Sequence, residues 1–139
     1  MMEYRYEWRP VTVPTLPQLR LTALDCPDPL ALADFYARLT GLEVEPLDGF
    51  APEDVTWIEL LNPAGATIAF QKVAQYEAPT WPEGPRSQQL HLDFAVTDLV
   101  EGERHALGVG ARLAEFQPGE SFRVFFDPVG HPFCLVREA

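Results

Sequence analysis

His91 and Asp93 stand two residues apart in a short apolar run, Leu90 to Val96. In a strand, residues two apart share a face, so the imidazole and the carboxylate would project side by side, as general acid–base chemistry requires. Glu59, inside Thr56-Trp57-Ile58-Glu59-Leu60-Leu61, is a second carboxylate set among apolar neighbours. Burial would move its pKa upward, toward the range where a base works. Glu59, His91 and Asp93 are thus the candidate catalytic residues. A structural reading stands beside this one: Asp93 accepts from the imidazole or a backbone N–H, and Glu59 reaches solvent at a rim. Cys134 is a weaker nucleophile candidate, because buried cysteine usually behaves as a small apolar residue. Arg123 and His131 are expected in surface or turn positions.

The elements that must position these groups occur twice. Gln18-Leu19-Arg20-Leu21 returns 71 residues later as Gln89-Leu90-His91-Leu92, and Asn62-Pro63-Ala64-Gly65 returns 65 residues later as Asp127-Pro128-Val129-Gly130. Two landmarks in the same order imply two modules. An Asx residue followed by Pro and Gly is a turn with a mechanism. The side chain bonds the backbone ahead, Pro presets φ, and Gly accepts positive φ. Strands are predicted on both sides of each turn: Thr56 to Leu61 and Thr67 to Val73, then Phe122 to Phe126 and Pro132 to Val136. Leu19 to Leu24 and Leu90 to Val96 are the opening strands. A helix follows each. Asp28 caps the first, with Pro29 at its first position and Gly41 at its end. Asp98 caps the second, Glu101 falls as in a capping box, and Gly108 and Gly110 close it. Leu42 to Leu47 and Ala111 to Phe116 supply one more strand each, so the order is βαβββ twice. The chain thus divides into an arm and linker (1–17), a first module (18–75), a proline-rich connector (76–88) and a second module (89–139). Together they make one domain.

Two βαβββ modules in a chain this long resemble the vicinal oxygen chelate superfamily, which includes glyoxalase I, extradiol dioxygenases, fosfomycin-resistance and bleomycin-binding proteins. The resemblance spans about residues 18 to 138. It is most specific in His91-Leu92-Asp93-Phe94-Ala95-Val96, in Leu107-Gly108 with Gly110-Ala111-Arg112, and in Asp127-Pro128-Val129-Gly130-His131-Pro132-Phe133-Cys134, which look like the glyoxalase-like branch. It implies an α+β fold whose two modules form curved mixed sheets around a cup. It also implies that the metal enzymes of the family hold a divalent ion on one residue from the first and last strand of each module. Those positions fall here on Arg20, Ala69, His91 and Cys134. Only His91 matches the usual ligand type; Ala69 has no donor and Arg20 would repel a cation. No cofactor and no tightly held metal are therefore expected, although Glu59 and Asp93 could complete an unconventional ligand set.

Alternation along the strands assigns the faces. With His91 and Asp93 toward the cup, Leu92 and Phe94 pack beneath the helix. Ile58, Leu60, Ile68 and Phe70 are the core set of the first hairpin, which leaves Trp57, Glu59 and Gln71 for the cup. Cys134 faces inward with Val136, and Phe122 and Val124 match them on the seventh strand. The expected pocket is Trp57, Gln71, Phe122, Val124 and Cys134 around Glu59, His91 and Asp93, an apolar wall with a few polar groups as small-molecule sites usually have. Trp81 in the connector is read as a lid over this cup or as part of a subunit contact.

Function then divides two ways. One class is an enzyme performing isomerisation, lyase chemistry or proton abstraction on a small oxygenated compound, or a metal-dependent lyase or dioxygenase using His91. The other is a protein that sequesters a small aromatic or cationic compound, as bleomycin-binding relatives do. Composition narrows the partners. Lys and Arg number 10 against 21 Asp and Glu, a net charge of −11 over 139 residues, which disfavours nucleic acid and anionic membrane surfaces. No apolar run approaches the roughly 18 residues of a membrane span, and the start does not resemble a signal peptide. A cytoplasmic protein with reduced cysteines is expected. The alternation of Tyr4, Tyr6 and Trp8 with charged residues suggests a strand over residues 3 to 9, and the family resemblance implies a homodimer, in which this strand would be added and its aromatic face covered.

Overall fold

The computed structural model describes residues 16–138, and the expected strand at residues 3 to 9 lies outside them. The chain divides into two compact units, the first ending at Tyr76 and the second beginning at Glu77. The proline-rich stretch after Glu77 clusters with the second unit.

The first unit contains β1 (Leu21–Cys26), α1 (Pro29–Thr40), β2 (Glu43–Val44), β3 (Trp57–Leu61) and β4 (Thr67–Lys72). Its sheet has the order β1-β4-β3-β2, with β1 and β4 parallel and the other pairs antiparallel. The second unit repeats this with β5 (Leu92–Val96), α2 (Leu99–Gly108), β6 (Arg112–Leu113), β7 (Phe122–Phe126) and β8 (Pro132–Arg137) in the order β5-β8-β7-β6. Two four-stranded mixed sheets, each with one helix, are the α+β architecture expected from the repeat.

Local chemistry accounts for the element ends. Asp28 accepts from the Ala31 N–H at the start of α1, and Gly41 ends the helix at φ 81°, a left-handed conformation that glycine adopts without a Cβ penalty. Asp98 accepts from the Val100 and Glu101 N–H groups. The Glu101 carboxylate takes Arg104 at 2.7 Å. In the hairpins, Asn62 Oδ1 accepts from Ala64 N, and Asp127 Oδ1 accepts from both Val129 N and His131 N. The Asx mechanism read from sequence is thus present in both copies.

Each helix covers one sheet face. Tyr36 of α1 stacks on Phe70 at 5.6 Å between ring centroids, with Leu32, Phe35, Ile58 and Leu60 buried around them. In the second unit Phe125 stacks on Phe133 at 5.4 Å and Phe94 meets Phe133 edge-on at 5.9 Å. Gly102 lets α2 lie close, since a Cβ there would stand 3.1 Å from Leu135 Cδ1 and 3.2 Å from Val96 Cγ1.

The structure differs from the sequence reading in three places. Strands β2 and β6 are two residues each, not six. Pro46 has no N–H to continue β2 beyond the Glu45 N to Glu59 O bond. Past Ala114, the Gln117 side chain takes the carbonyls of Ala114 and Val124 and the N–H of Val124. The opening strands also start later than expected, at Leu21 and Leu92. Finally, Ala23 pairs with Ala69 as Asp93 pairs with Cys134, so the opening strands are offset by 70 residues rather than 71. The N-caps Asp28 and Asp98 keep the same offset of 70. The counterpart of His91 is therefore Leu21, and Arg20 stands one residue before it.

Candidate functional site

The second sheet separates its side chains by alternation. Phe125, Phe133 and Leu135 form the buried set beneath α2, while Val124 and Cys134 form a buried cluster on the other face, joined by Phe122, Phe126, Val136 and Trp81. Trp81 comes from the proline-rich stretch and packs at 5.8 Å from Phe116 and 6.3 Å from Phe126. Arg112 lies over the same Phe126 ring at 4.6 Å. Phe122 is seated against Gly119, where a Cβ would collide with its ring.

Trp81, Phe122, Val124, Cys134 and Val136 of this cluster line an open cavity of about 350 Å³. Its apolar wall is Trp81, Pro118, Phe122, Val124, Pro132 and Val136, and its polar groups are Gln88, His91, Asp93 and Cys134. Five of the eight expected site residues are thus brought together: His91, Asp93, Phe122, Val124 and Cys134. His91 Nε2 lies 3.2 Å from Asp93 Oδ1, with both side chains about half exposed. Asp93 is the register partner of Cys134 on β8. The Cys134 thiol is pushed up to about 11, first by burial and then by the charge of Asp93 and the hydrogen bond the thiol donates to it. A nucleophilic role for this thiol is disfavoured, because the thiolate is the reactive form. Gln88 Oε1 is buried and accepts no hydrogen bond.

The other three expected residues lie on the first unit. Glu59 is 3% exposed, so it is not the rim carboxylate of the structural reading. Arg20 Nη2 donates to Glu59 Oε1 at 3.1 Å and Oε2 at 3.3 Å, and Trp57 Nε1 donates to Oε2 at 3.0 Å. Both oxygens of the expected base are therefore engaged. The Glu59 backbone N–H donates to Glu45 Oε1 at 3.0 Å. Glu45 is itself buried. Its pKa is raised mainly by desolvation, with the Glu59 charge adding to this and the backbone bond and Arg20 opposing it. Gln71 is paired in register with Trp57 and donates to Asp25 Oδ1 at 3.2 Å.

Sequence reasoning missed Gln88, Pro118 and Pro132 as lining residues and left Trp81 between two roles. Pro132 stands two residues before Cys134 on β8, so alternation along that strand could have placed it. Pro118 and Gln88 lie outside strands, where no periodicity assigns a face. Trp81, a large apolar side chain in a stretch otherwise polar and proline-rich, gave a compositional signal instead.

The fold is that of the glyoxalase-like branch of the vicinal oxygen chelate superfamily. A family model described as a glyoxalase-like domain matches residues 22–136, and the chain belongs to that family. A glyoxalase/bleomycin resistance protein/dioxygenase family enzyme from Burkholderia phytofirmans PsJN is similar in structure, at 18% identity and TM-score 0.64 over 87% of this chain and 98% of that one. A glyoxalase-related enzyme from Fulvimarina pelagi is similar at 18% identity and TM-score 0.60, covering 88% of this chain and 89% of that one. The oxidase ChaP-H2 is similar at 20% identity and TM-score 0.54, over 88% and 94%. At these identities the likeness is one of fold. No curated protein sequence matches.

The metal enzymes of this superfamily imply a divalent ion. The family's ligand set does not fit it here, because Ala69 and either Arg20 or Leu21 supply no ligand for a cation. Within the second unit, however, His91, Asp93 and Cys134 place one ligand atom each within 4.8 Å of the others. Three protein donors are the number a catalytic zinc site keeps.

Proposed function

We propose that the chain binds a small, partly aromatic or cationic organic compound in the pocket of the second unit, without the four-strand metal set of its metal-dependent relatives. The observation that carries this reading is the 350 Å³ cavity with Trp81 and Phe122 in its wall and His91, Asp93 and an unpartnered Gln88 Oε1 among its polar groups. Aromatic faces supply stacking or cation–π contact, Asp93 supplies charge, and Gln88 Oε1 supplies an acceptor for a donor on the ligand.

The test is a titration of small aromatic amines and their neutral analogues into chelator-treated protein, followed by NMR shifts. The expected result is shifts at His91, Asp93, Phe122 and Val124. Trp81→Ala should weaken binding by about 2- to 30-fold, equivalent to roughly 0.5–2 kcal/mol. Trp57→Ala, which alters the first unit, measures whether that residue contributes as the strand alternation suggested. Shifts that avoid β5, β7 and β8 would overturn the reading.

The 3.2 Å His91–Asp93 contact favours a second reading, in which the bound compound is also converted by proton transfer. Turnover of a bound compound that is abolished by His91→Ala and retained in Trp81→Ala would establish it. Binding without turnover assigns the chain to sequestration.

A further inference from the structure

His91 immediately precedes β5, Asp93 lies on that strand, and Cys134 lies beside Asp93 on β8. Their ligand atoms are mutually within 4.8 Å, an imidazole nitrogen, a carboxylate oxygen and a sulfur. We propose that His91, Asp93 and Cys134 form a self-contained site for a thiophilic divalent ion of the zinc class, held by the second unit alone.

Donor chemistry, charge and rigidity support this site. Sulfur and imidazole select zinc over magnesium or calcium, which prefer all-oxygen shells, and binding would release to solvent the proton that the Cys134 thiol otherwise donates to Asp93. Among the described residues lining the cavity there is no Lys or Arg, so no fixed cation competes for Asp93 and Cys134 inside it. Two of the three donors, Asp93 and Cys134, stand on adjacent hydrogen-bonded strands, His91 is the residue just before β5, and Val124 and Phe122 pack beside Cys134. Sites built on strands hold their geometry better than sites on loops. The ligand set also differs from the one that the family resemblance maps onto this chain. Asp93 is not among those four positions, and the donors missing from the first unit are not required. With three protein ligands, a coordination position is left for an oxygen of a pocket ligand, which a bound ion would polarise as a Lewis acid.

This inference concerns the proposed pocket but does not depend on an organic ligand, and none enters its test. Protein stripped with a chelator is titrated with Co²⁺ and Zn²⁺, followed by absorbance and calorimetry. The expected result is one equivalent bound, with a thiolate-to-cobalt charge-transfer band that Zn²⁺ abolishes and Mg²⁺ does not. Cys134→Ser should remove the band, while Cys26→Ser, at the other free cysteine, should leave it. Asp93→Asn and His91→Gln should each lower Zn²⁺ affinity at least about tenfold. The Asp93 and His91 side chains are half exposed, so these variants keep the test valid if Cys134→Ser fails to fold. Absence of stoichiometric binding would overturn the site, as would a band that survives Cys134→Ser or an affinity unchanged in both other variants.

Discussion

The two buried carboxylates of the first unit, Glu45 and Glu59, show how hydrogen-bond donors separate two groups that burial leaves alike. Glu59 keeps a full set of donors in Arg20 and Trp57, whereas Glu45 accepts from one backbone N–H and is otherwise desolvated. A carboxyl whose folded pKa is raised above its ordinary value of 4.5 contributes stability that is present below that value and lost as pH rises through the folded one. Near neutrality the charge at Glu45 therefore works against folding. Glu45→Gln retains an Oε1 that can accept from Glu59 N and carries no charge. It should melt higher than the parent near neutral pH, and the advantage should shrink as pH falls toward 4.5. Melting curves over that range decide the point, and a difference independent of pH would assign the effect to packing.

Among the elements, β7 and the loop before it control the pocket most directly, because the Phe122 ring is seated where a Gly119 Cβ would be. Gly119→Ala must displace Phe122 or strain the loop, at a cost of roughly 1–3 kcal/mol as in other overpacked sites. The expected outcome is a lower melting temperature together with weaker ligand binding, while Gly108→Ala, with open space around its Cβ position, should leave binding unchanged. Equal binding in both variants would show that Phe122 does not shape the site. The same elements show what the sequence could disclose. The helix starts at Asp28 and Asp98, the end at Gly41, and the turns at Asn62 and Asp127 depend on one or two local hydrogen bonds, and each is readable from neighbouring residues. The faces of β7 and β8 followed from alternation, which placed Phe122, Val124 and Cys134 on one side. What could not be read depends on distant partners. Gln117 replaces the rest of β6, Arg20 and Trp57 converge on Glu59, and Trp81 folds onto Phe116 and Phe126 from a stretch with no periodicity. The one-residue difference in the opening strands had a similar origin. Gln18 and Gln89 look alike as letters, but the pairing of Ala23 with Ala69 and Asp93 with Cys134 sets the true register.

For the molecule as a whole, charge is the property that acts beyond any one contact. A net −11 on 139 residues creates a negative potential around the chain, and no helix among the described residues is long and apolar enough to cross a membrane. Such a field accelerates the approach of cations and slows that of anions, and salt weakens it, with a screening length of about 10 Å at 0.1 M. Local contacts with Asp93 and the aromatic wall act at shorter range, so they survive screening better. Association of a cationic aromatic ligand should therefore slow as salt is raised, mostly through its on-rate, while a neutral analogue of the same shape should associate at a nearly constant rate. Stopped-flow measurements at two salt concentrations separate the cases. If both ligands respond alike, the overall charge plays no part in recruitment, and selection rests on the pocket lining alone. If only the cation responds, and Asp93→Asn then raises its off-rate without changing the salt slope, long-range attraction and the local carboxylate act as separate steps of recognition.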